Sequence, residues 1–204
     1  MTKVTDLPAD NIIMTKRDRV LRQQKQSGFT LIELIVVIII LGILAAVALP
    51  RFINLQRDAR IAKLQAARGS VSAASALVHA ATLSRGGVAD TINCVTSGIA
   101  ANNSNGPTGT VSTENGLIYM VFGYPQVTAF SGNPGILSMA GLTGIYNPTQ
   151  PQLEAEGYTY LAGGAFATFG VVGATDPLNC FFTYTQPAAA NTAATISGLT
   201  VSGC

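Results

Sequence analysis

One acidic side chain stands inside the most apolar part of this 204-residue chain. Glu33 is followed by LIVVIIILGILAAVAL, a run without a polar side chain that ends at Leu49. A charge inside a bilayer costs on the order of a few kcal/mol near the centre and less near the interface, so such a residue is by default functional. Because nothing else in the run is charged, the partner cation has to come from another chain or from processing of this one.

Cleavage between Gly28 and Phe29 would create such a cation, the freed α-amino group of Phe29. Phe29 and Glu33 are four residues apart, about one helical turn, so both groups would lie on the same side of a helix. In a bundle of identical helices, the amine of one subunit would meet the carboxylate of its neighbour. That pair would favour one axial offset between neighbouring helices.

The three cysteines, Cys94, Cys180 and Cys204, indicate a disulfide more than a metal site. None lies in a CxxC pair, and His79, the one histidine, is too far away to complete a zinc set. In an exported domain, three cysteines are expected to form one disulfide and leave one over. No metal and no cofactor is therefore predicted.

An anchored periplasmic enzyme is a competing function with little support. A Ser-His-Asp or paired-carboxylate site would need His79, or Glu154 with Glu156, in a cleft. His79 falls within a long helical segment, where a packing role is expected. The two glutamates belong to a loop-like LEAEGY segment, where neighbouring acids are usually solvated. No catalytic residue is predicted.

The charges are distributed unevenly. Residues 1–28 carry six Lys or Arg against three Asp, and residues 51–85 carry six against one. After Arg85 there is no basic residue at all. Nucleic-acid binding needs a basic stripe on the folded domain, so no nucleic-acid partner is expected for the C-terminal part.

Residues 29–50 are predicted to form a transmembrane and assembly helix. Phe29 to Leu49 would span about 30 Å, one bilayer core. Basic residues before the span and an acidic part after it predict an N-inside, C-outside orientation in the inner membrane. A secretory signal cleaved after Ala46-Val47-Ala48 is the alternative. It is disfavoured because the run exceeds the usual length and contains a carboxylate.

Residues 51–85 are predicted to continue as an amphipathic helix after a possible kink at Pro50. One helix of about 55 residues, about 85 Å long, would result. A single small domain cannot cover a helix of this length, so half of the helix must be buried against another partner. A stripe of mostly small residues recurs at spacings of three and four, which suits close packing on a sheet or between helices: Phe52, Leu55, Ala59, Ala62, Ala66, Gly69, Ala73, Leu77 and Ala80.

Residues 86–204, called the head below, are predicted to be a small antiparallel sheet with one helix laid across it, an α+β fold. Residues 88–115 form a polar loop with turn signals. A short helix is predicted at 134–142. Short runs rich in β-branched and aromatic residues predict the strands: 117–122, 158–161, 166–172, 180–185 and 194–201.

The segment SGFTLIE, residues 27–33, resembles the cleavage and methylation motif of type IV pilins and type II secretion pseudopilins. The resemblance implies that a prepilin peptidase removes a leader, residues 1–28, by cutting after Gly28, and N-methylates Phe29. It assigns Glu33 to subunit assembly. It also implies a long N-terminal helix with a sheet packed on its second half, and polymerisation of identical subunits into a helical fibre.

Three further segments resemble the mannose-sensitive haemagglutinin (MSHA) class of pilins: ALPRFINLQ with DAR, FGYPQ, and NCFFTYT with the final GC. This resemblance implies a surface fibre for adhesion, built by inner-membrane assembly machinery, with the receptor unidentified. It implies a Cys180–Cys204 disulfide, whose loop of about 25 residues would contribute about 3.5 kcal/mol. Cys94 is left as a buried free thiol or an intermolecular bridge.

A type II secretion pseudopilin or a minor pilin is the alternative within this resemblance. Such pseudopilins often carry a C-terminal calcium site of acidic residues, whereas here Asp176 stands alone and a cysteine pair takes that place. The leader is long for the family, which favours Met14 over Met1 as the start.

Overall fold

The computed structural model describes residues 28–204. The leader predicted over 1–28 lies outside these residues except for Gly28, and so does the choice between Met1 and Met14. The chain divides into two compact units, one ending at Ala46 and the other comprising Val47–Cys204.

The first and longest element is helix α1, Leu31–Arg85, of 55 residues. Its helical backbone continues through residue 50. It ends where Gly86 and Gly87 adopt φ of 60° and 75°, a left-handed conformation that glycine adopts without the cost of a Cβ atom.

A three-stranded antiparallel sheet packs on the last turns of α1. Its strands are β1 (Gly109–Ser112), β2 (Leu117–Val121) and β3 (Tyr124–Pro125), in the order β1-β2-β3. Phe122 and Gly123, both at positive φ, form the two-residue turn between β2 and β3, as tight hairpins require. Val78 of α1 joins side chains of β1 and β2 in a small buried cluster.

The second sheet is a four-stranded antiparallel meander whose strands are neighbours in chain order. Two short helices precede it, and a 3-10 turn at Pro177–Asn179 comes before its third strand. The remaining elements are α2 (Ile136–Met139), α3 (Gln150–Ala155), β4 (Tyr158–Gly163), β5 (Phe166–Val171), β6 (Phe181–Thr185) and β7 (Thr195–Ile196).

The main core lies between α1 and the four-stranded sheet. Leu64 and Val71 of α1 are fully buried in one cluster with Phe169, Phe182 and Tyr184. The Phe169 and Phe182 rings stack with their centroids 5.1 Å apart. The Tyr184 hydroxyl donates to the Pro125 carbonyl at 2.8 Å, which ties the two sheets together. Burial raises the pKa of Tyr184 above its ordinary value.

The α+β fold class is confirmed, but the strands form two sheets where one was expected. Strand β1 lies inside the predicted loop 88–115, since a four-residue GTVS segment has too little pattern to predict a strand and is defined by pairing with β2. Helix α3 covers part of the LEAEGY segment taken as loop. The Gln152 side chain caps it by accepting from the Thr149 amide at 2.9 Å.

The face of α1 that packs on the sheets differs from the predicted stripe. Every residue of that stripe is exposed, from Phe52 to Ala80. Packing on a sheet, the first use considered for the stripe, is therefore wrong for this chain. The sheets rest instead on a second series at the same spacing of three and four: Leu64, Ala67, Val71, Ala74 and Val78.

Two glycines on and beside α1 provide a matched pair for testing stability. Gly69 lies mid-helix, and a Cβ atom there would meet nothing within 4 Å. Gly69→Ala is expected to stabilise the fold by about 0.4–1 kcal/mol. Gly87→Ala meets equally open space but at φ 75°, so it is expected to destabilise by about 1 kcal/mol. Thermal unfolding of the full chain in detergent measures both, and shifts of the same sign would contradict the backbone assignment.

Candidate functional site

The predicted processing site lies just before α1. Gly28, Phe29 and Thr30 precede the first helical residue and all three are exposed. The Phe29 side chain is 92% exposed, and a Cβ atom at Gly28 would meet nothing within 4 Å. The bond between Gly28 and Phe29 is therefore exposed and lies outside the helix, where its backbone is not held by helical hydrogen bonds.

Glu33 lies in the first turn of α1 and hydrogen-bonds to its own chain. Its Oε2 accepts from the Thr30 amide at 3.2 Å and from the Thr30 hydroxyl at 3.0 Å. The Glu33 amide donates to the Thr30 hydroxyl at 3.3 Å. These bonds form a capping box, which satisfies amide groups that the start of a helix leaves without partners.

The T-x-x-E spacing of Thr30 and Glu33 would have predicted this cap from the sequence. Because of this cap, the Glu33 carboxylate already accepts hydrogen bonds from neutral donors of its own chain. The apolar segment itself contains no cation. In the uncleaved chain the nitrogen of Phe29 belongs to a peptide bond. The predicted amine–carboxylate pair therefore depends on cleavage.

The apolar start of α1 buries nothing within one chain. Every residue from Gly28 to Leu49 is exposed, including all of the large aliphatic side chains. By length and composition α1 can cross a membrane, a test that signal sequences also pass. Since exposed apolar surface of this extent is unfavourable in water, this segment requires lipid or other protein around it.

The structure joins Cys180 and Cys204 in a disulfide, with 4.9 Å between their Cα atoms. Both residues are buried in the main core. Next to the bridge, Asp176 accepts from the Leu178 amide at 3.0 Å and from the Asn179 side chain at 2.7 Å. Asp176 thus caps the turn that leads into Cys180.

Four cations of α1 hold the head through its backbone carbonyl oxygens. Arg60 donates to Cys204 at 2.8 Å, Arg68 to Ser197 at 2.8 Å and Arg57 to Val201 at 3.5 Å. Lys63 donates to the carbonyl of Glu156 and lies 4.5 Å from the centre of the Tyr158 ring. These contacts fasten the C-terminal end of the head and the end of α3 to α1. Sequence spacing offered no signal for these contacts, because Arg60 and Cys204 are 144 residues apart.

Arg60→Ala is expected to destabilise the fold by about 1–2 kcal/mol, because a partly buried charged hydrogen bond to a carbonyl is lost. Arg51→Ala is the matched control, since Arg51 is exposed and forms no hydrogen bond in residues 28–204 as described. Thermal unfolding of both variants in detergent makes the comparison. Equal melting temperatures would mean that the Arg60 contact contributes nothing.

The loop that follows α1 is held by a small polar network. Asp90 accepts from the Asn103 side chain at 2.7 Å and lies 3.6 Å from Arg85. These contacts, led by the Asn103 hydrogen bond, lower the pKa of Asp90. The network anchors the loop to the end of α1.

Cys94 forms no disulfide among the described residues and is partly exposed, so the expected buried thiol is incorrect in that respect. Its sulfur lies 3.4 Å from the Thr96 hydroxyl, and that hydrogen bond lowers the pKa of the thiol. A bridge to another molecule stays a prediction.

His79 is a packing residue. Its ring stacks on Tyr124 with the centroids 4.0 Å apart, and its Nδ1 lies 3.3 Å from the Gly123 carbonyl oxygen. In residues 28–204, no group of three or more His, Cys, Asp or Glu side chains is placed to hold a metal ion.

Known proteins resemble part of the chain. The family model described as the prokaryotic N-terminal methylation motif matches residues 23–49. The chain is 47% identical over 53 residues to the type IV narrow pilus major component PilA5 of Thermus thermophilus. The aligned segment covers 26% of this chain and 46% of that protein. By its motif and by the names of its relatives, the chain is type IV pilin-like over part of its length.

Two more pilin-like relatives share a segment of similar size. Type II secretion system core protein G of Pseudomonas aeruginosa is 43% identical over 56 residues, 28% of this chain and 37% of that protein. Fimbrial protein EcpB of Eikenella corrodens is 49% identical over 57 residues, 27% of this chain and 36% of that protein.

The chain thus spans less than half the length of each of these curated relatives. None of the three names describes an enzyme. No solved structure matches the chain.

Proposed function

We propose that this chain is the structural subunit of a type IV pilus of the MSHA type, polymerising through α1 into a surface fibre for adhesion. The observation that carries the proposal is the start of α1, whose side chains are exposed on every side from Leu31 to Leu49. The methylation motif covers the same segment. A bundle of such helices buries this surface after the subunit leaves the membrane.

Maturation takes place at the accessible bond before α1. Prepilin peptidase cuts after Gly28 and methylates the new amine of Phe29. Glu33 of one subunit then receives the amine of a neighbour during assembly. The capping bonds from Thr30 keep the Glu33 carboxylate hydrogen-bonded until that partner arrives.

The subunit begins as a single-pass inner-membrane precursor, N-inside and C-outside. Inner-membrane assembly machinery draws it into a homopolymer, which is displayed outside the cell. The Cys180–Cys204 bridge suits that oxidising location. Adhesion involves a surface receptor that the head contacts.

Two measurements test the proposal. Mass spectrometry of the mature protein is expected to find N-methylphenylalanine at residue 29, whereas Leu49 as the first residue would indicate a cleaved secretory signal. Electron microscopy of a strain lacking the gene is expected to show loss of surface fibres. Intact fibres would contradict the role of major subunit.

A pseudopilin of type II secretion is the second candidate, favoured by the similarity to core protein G. In that case the deletion would block protein export and leave surface fibres intact. The cap formed by Asp176 counts against a calcium site there, because both of its oxygens already accept hydrogen bonds. Measuring fibres and secretion in one deletion strain separates the two functions.

A further inference from the structure

One face of α1 is left uncovered by the fold. Between residues 51 and 85, the head packs on the series that contains Leu64 and Val71, so the opposite side of the helix is exposed. This side, the outer face, presents large apolar side chains: Phe52, Leu55 and Leu77 are 64%, 64% and 61% exposed. Exposed apolar area of this size on a helix indicates a protein partner.

The outer face also carries two opposite charges. Arg51 and Asp58 are exposed and seven residues apart, so they lie nearly two full turns from each other on the same side. Neither forms a side-chain hydrogen bond or ion pair within residues 28–204 as described. The four cations that hold the head lie on the other side of the helix and all have acceptors.

Charge complementarity selects one arrangement of two copies. Copies in one membrane share their orientation, so their helices run parallel. Without a shift, Arg51 would face Arg51 and Asp58 would face Asp58, and both contacts would be repulsive. A shift of seven residues, about 10.5 Å along the axis, places Arg51 level with Asp58 of the next copy.

The same shift preserves the apolar contacts. Seven residues are close to two turns, so between residues 52 and 73 the shift moves side chains of the outer face onto the levels of others on the same face. Leu55 comes level with Ala62, for example, and Ala66 with Ala73. Small side chains at these levels let the backbones approach closely.

We infer that the outer face of α1 binds a second copy of this chain, shifted by two helical turns, with Arg51 of one copy paired with Asp58 of the next. The inference rests on the proposed function and names the contact that sets the subunit register. Each helix in a bundle has more than one neighbouring helix. The seven-residue shift and the axial offset set by Phe29 and Glu33 therefore describe contacts with two different neighbours.

Charge reversal tests the pair. Arg51→Glu and Asp58→Arg are each expected to reduce sheared filaments at least tenfold, with normal processing and membrane insertion. The double variant is expected to restore them to within twofold of wild type. Glu114→Arg is the matched control, because it makes the same charge change as Asp58→Arg at an exposed site on the head. Single reversals that assemble normally, or a double variant without rescue, would overturn the pairing.

Cysteine cross-linking tests the shift independently. In a Cys94→Ser background, Ala66→Cys with Ala73→Cys is expected to give a ladder of covalent multimers when filaments are oxidised. The two cysteines within one helix are too far apart to bond to each other. Each single variant is expected to stay monomeric. Cross-linking of a single variant to itself would show unshifted helices, and no ladder from the pair would also overturn the inference.

The proposed function and this inference fail in different ways. If the unmodified chain builds no filaments, the proposed function fails and the inference falls with it. If it builds filaments that tolerate the single reversals, only the inference is overturned.

Discussion

Glu33→Ala is expected to abolish filaments while the precursor is still cleaved and inserted in the membrane. The substitution removes the carboxylate that would receive the Phe29 amine of a neighbour. It also improves insertion, because a charge leaves the apolar span. Electron microscopy of sheared filaments, with immunoblots of the processed subunit, measures the two effects separately.

The capping box gives Glu33 a second role, which a set of variants separates from the first. Glu33→Gln removes the charge and leaves an amide oxygen that can accept from the Thr30 amide. Thr30→Ala removes the hydroxyl bond and leaves the charge, at a cost of about 1 kcal/mol in the cap. Charge pairing predicts that Glu33→Gln fails to assemble and Thr30→Ala assembles.

The reverse result would assign Glu33 to the cap. Normal piliation in Glu33→Gln would refute the amine–carboxylate pair. Loss of piliation in Thr30→Ala would show that the hydrogen bonds at the start of α1 are what assembly requires.

Removing the Cys180–Cys204 disulfide is expected to have the largest effect on the stability of the head. The bridge links residues 24 positions apart, and the loop-entropy model gives about 3.5 kcal/mol for a loop of that size. For a chain of 204 residues, a loss of about 3.5 kcal/mol in the free energy of unfolding lowers the melting temperature by about 7–14 °C. Thermal unfolding of the full chain in detergent, with and without reductant, measures it.

Cys94→Ser is the control for this measurement. Because Cys94 lies outside the core clusters and forms no disulfide among the described residues, the variant is expected to melt like wild type and to keep its response to reductant. Cys180→Ser with Cys204→Ser is expected to melt like the reduced wild type. A melting temperature that reductant leaves unchanged would mean that the bridge adds no stability.

The sequence alone identified the parts of the chain that depend on local pattern. The acid at Glu33, its spacing from Phe29 and the long apolar run are all visible within residues 27–49. A single α1 through residue 85 followed from periodicity and from the two glycines that end it. The α+β class followed from short β-branched runs in the head. Local chemistry determines each of these, so no knowledge of distant contacts was needed.

Only the tertiary structure decided which side of α1 meets the head. Two apolar series run along the helix at the same spacing, one through Leu64 and Val71 and one through Ala66 and Ala73. Periodicity shows that each series is a face, but it does not say what each face contacts. Between residues 64 and 80, beside the sheets, the Leu64 series carries more of the larger side chains and fills the space beneath them better, so it is buried in the core. The outer face, with its mostly small residues, is left exposed together with Arg51 and Asp58. The contact of Arg60 was also decided by the tertiary structure, because its carbonyl partner is 144 residues away.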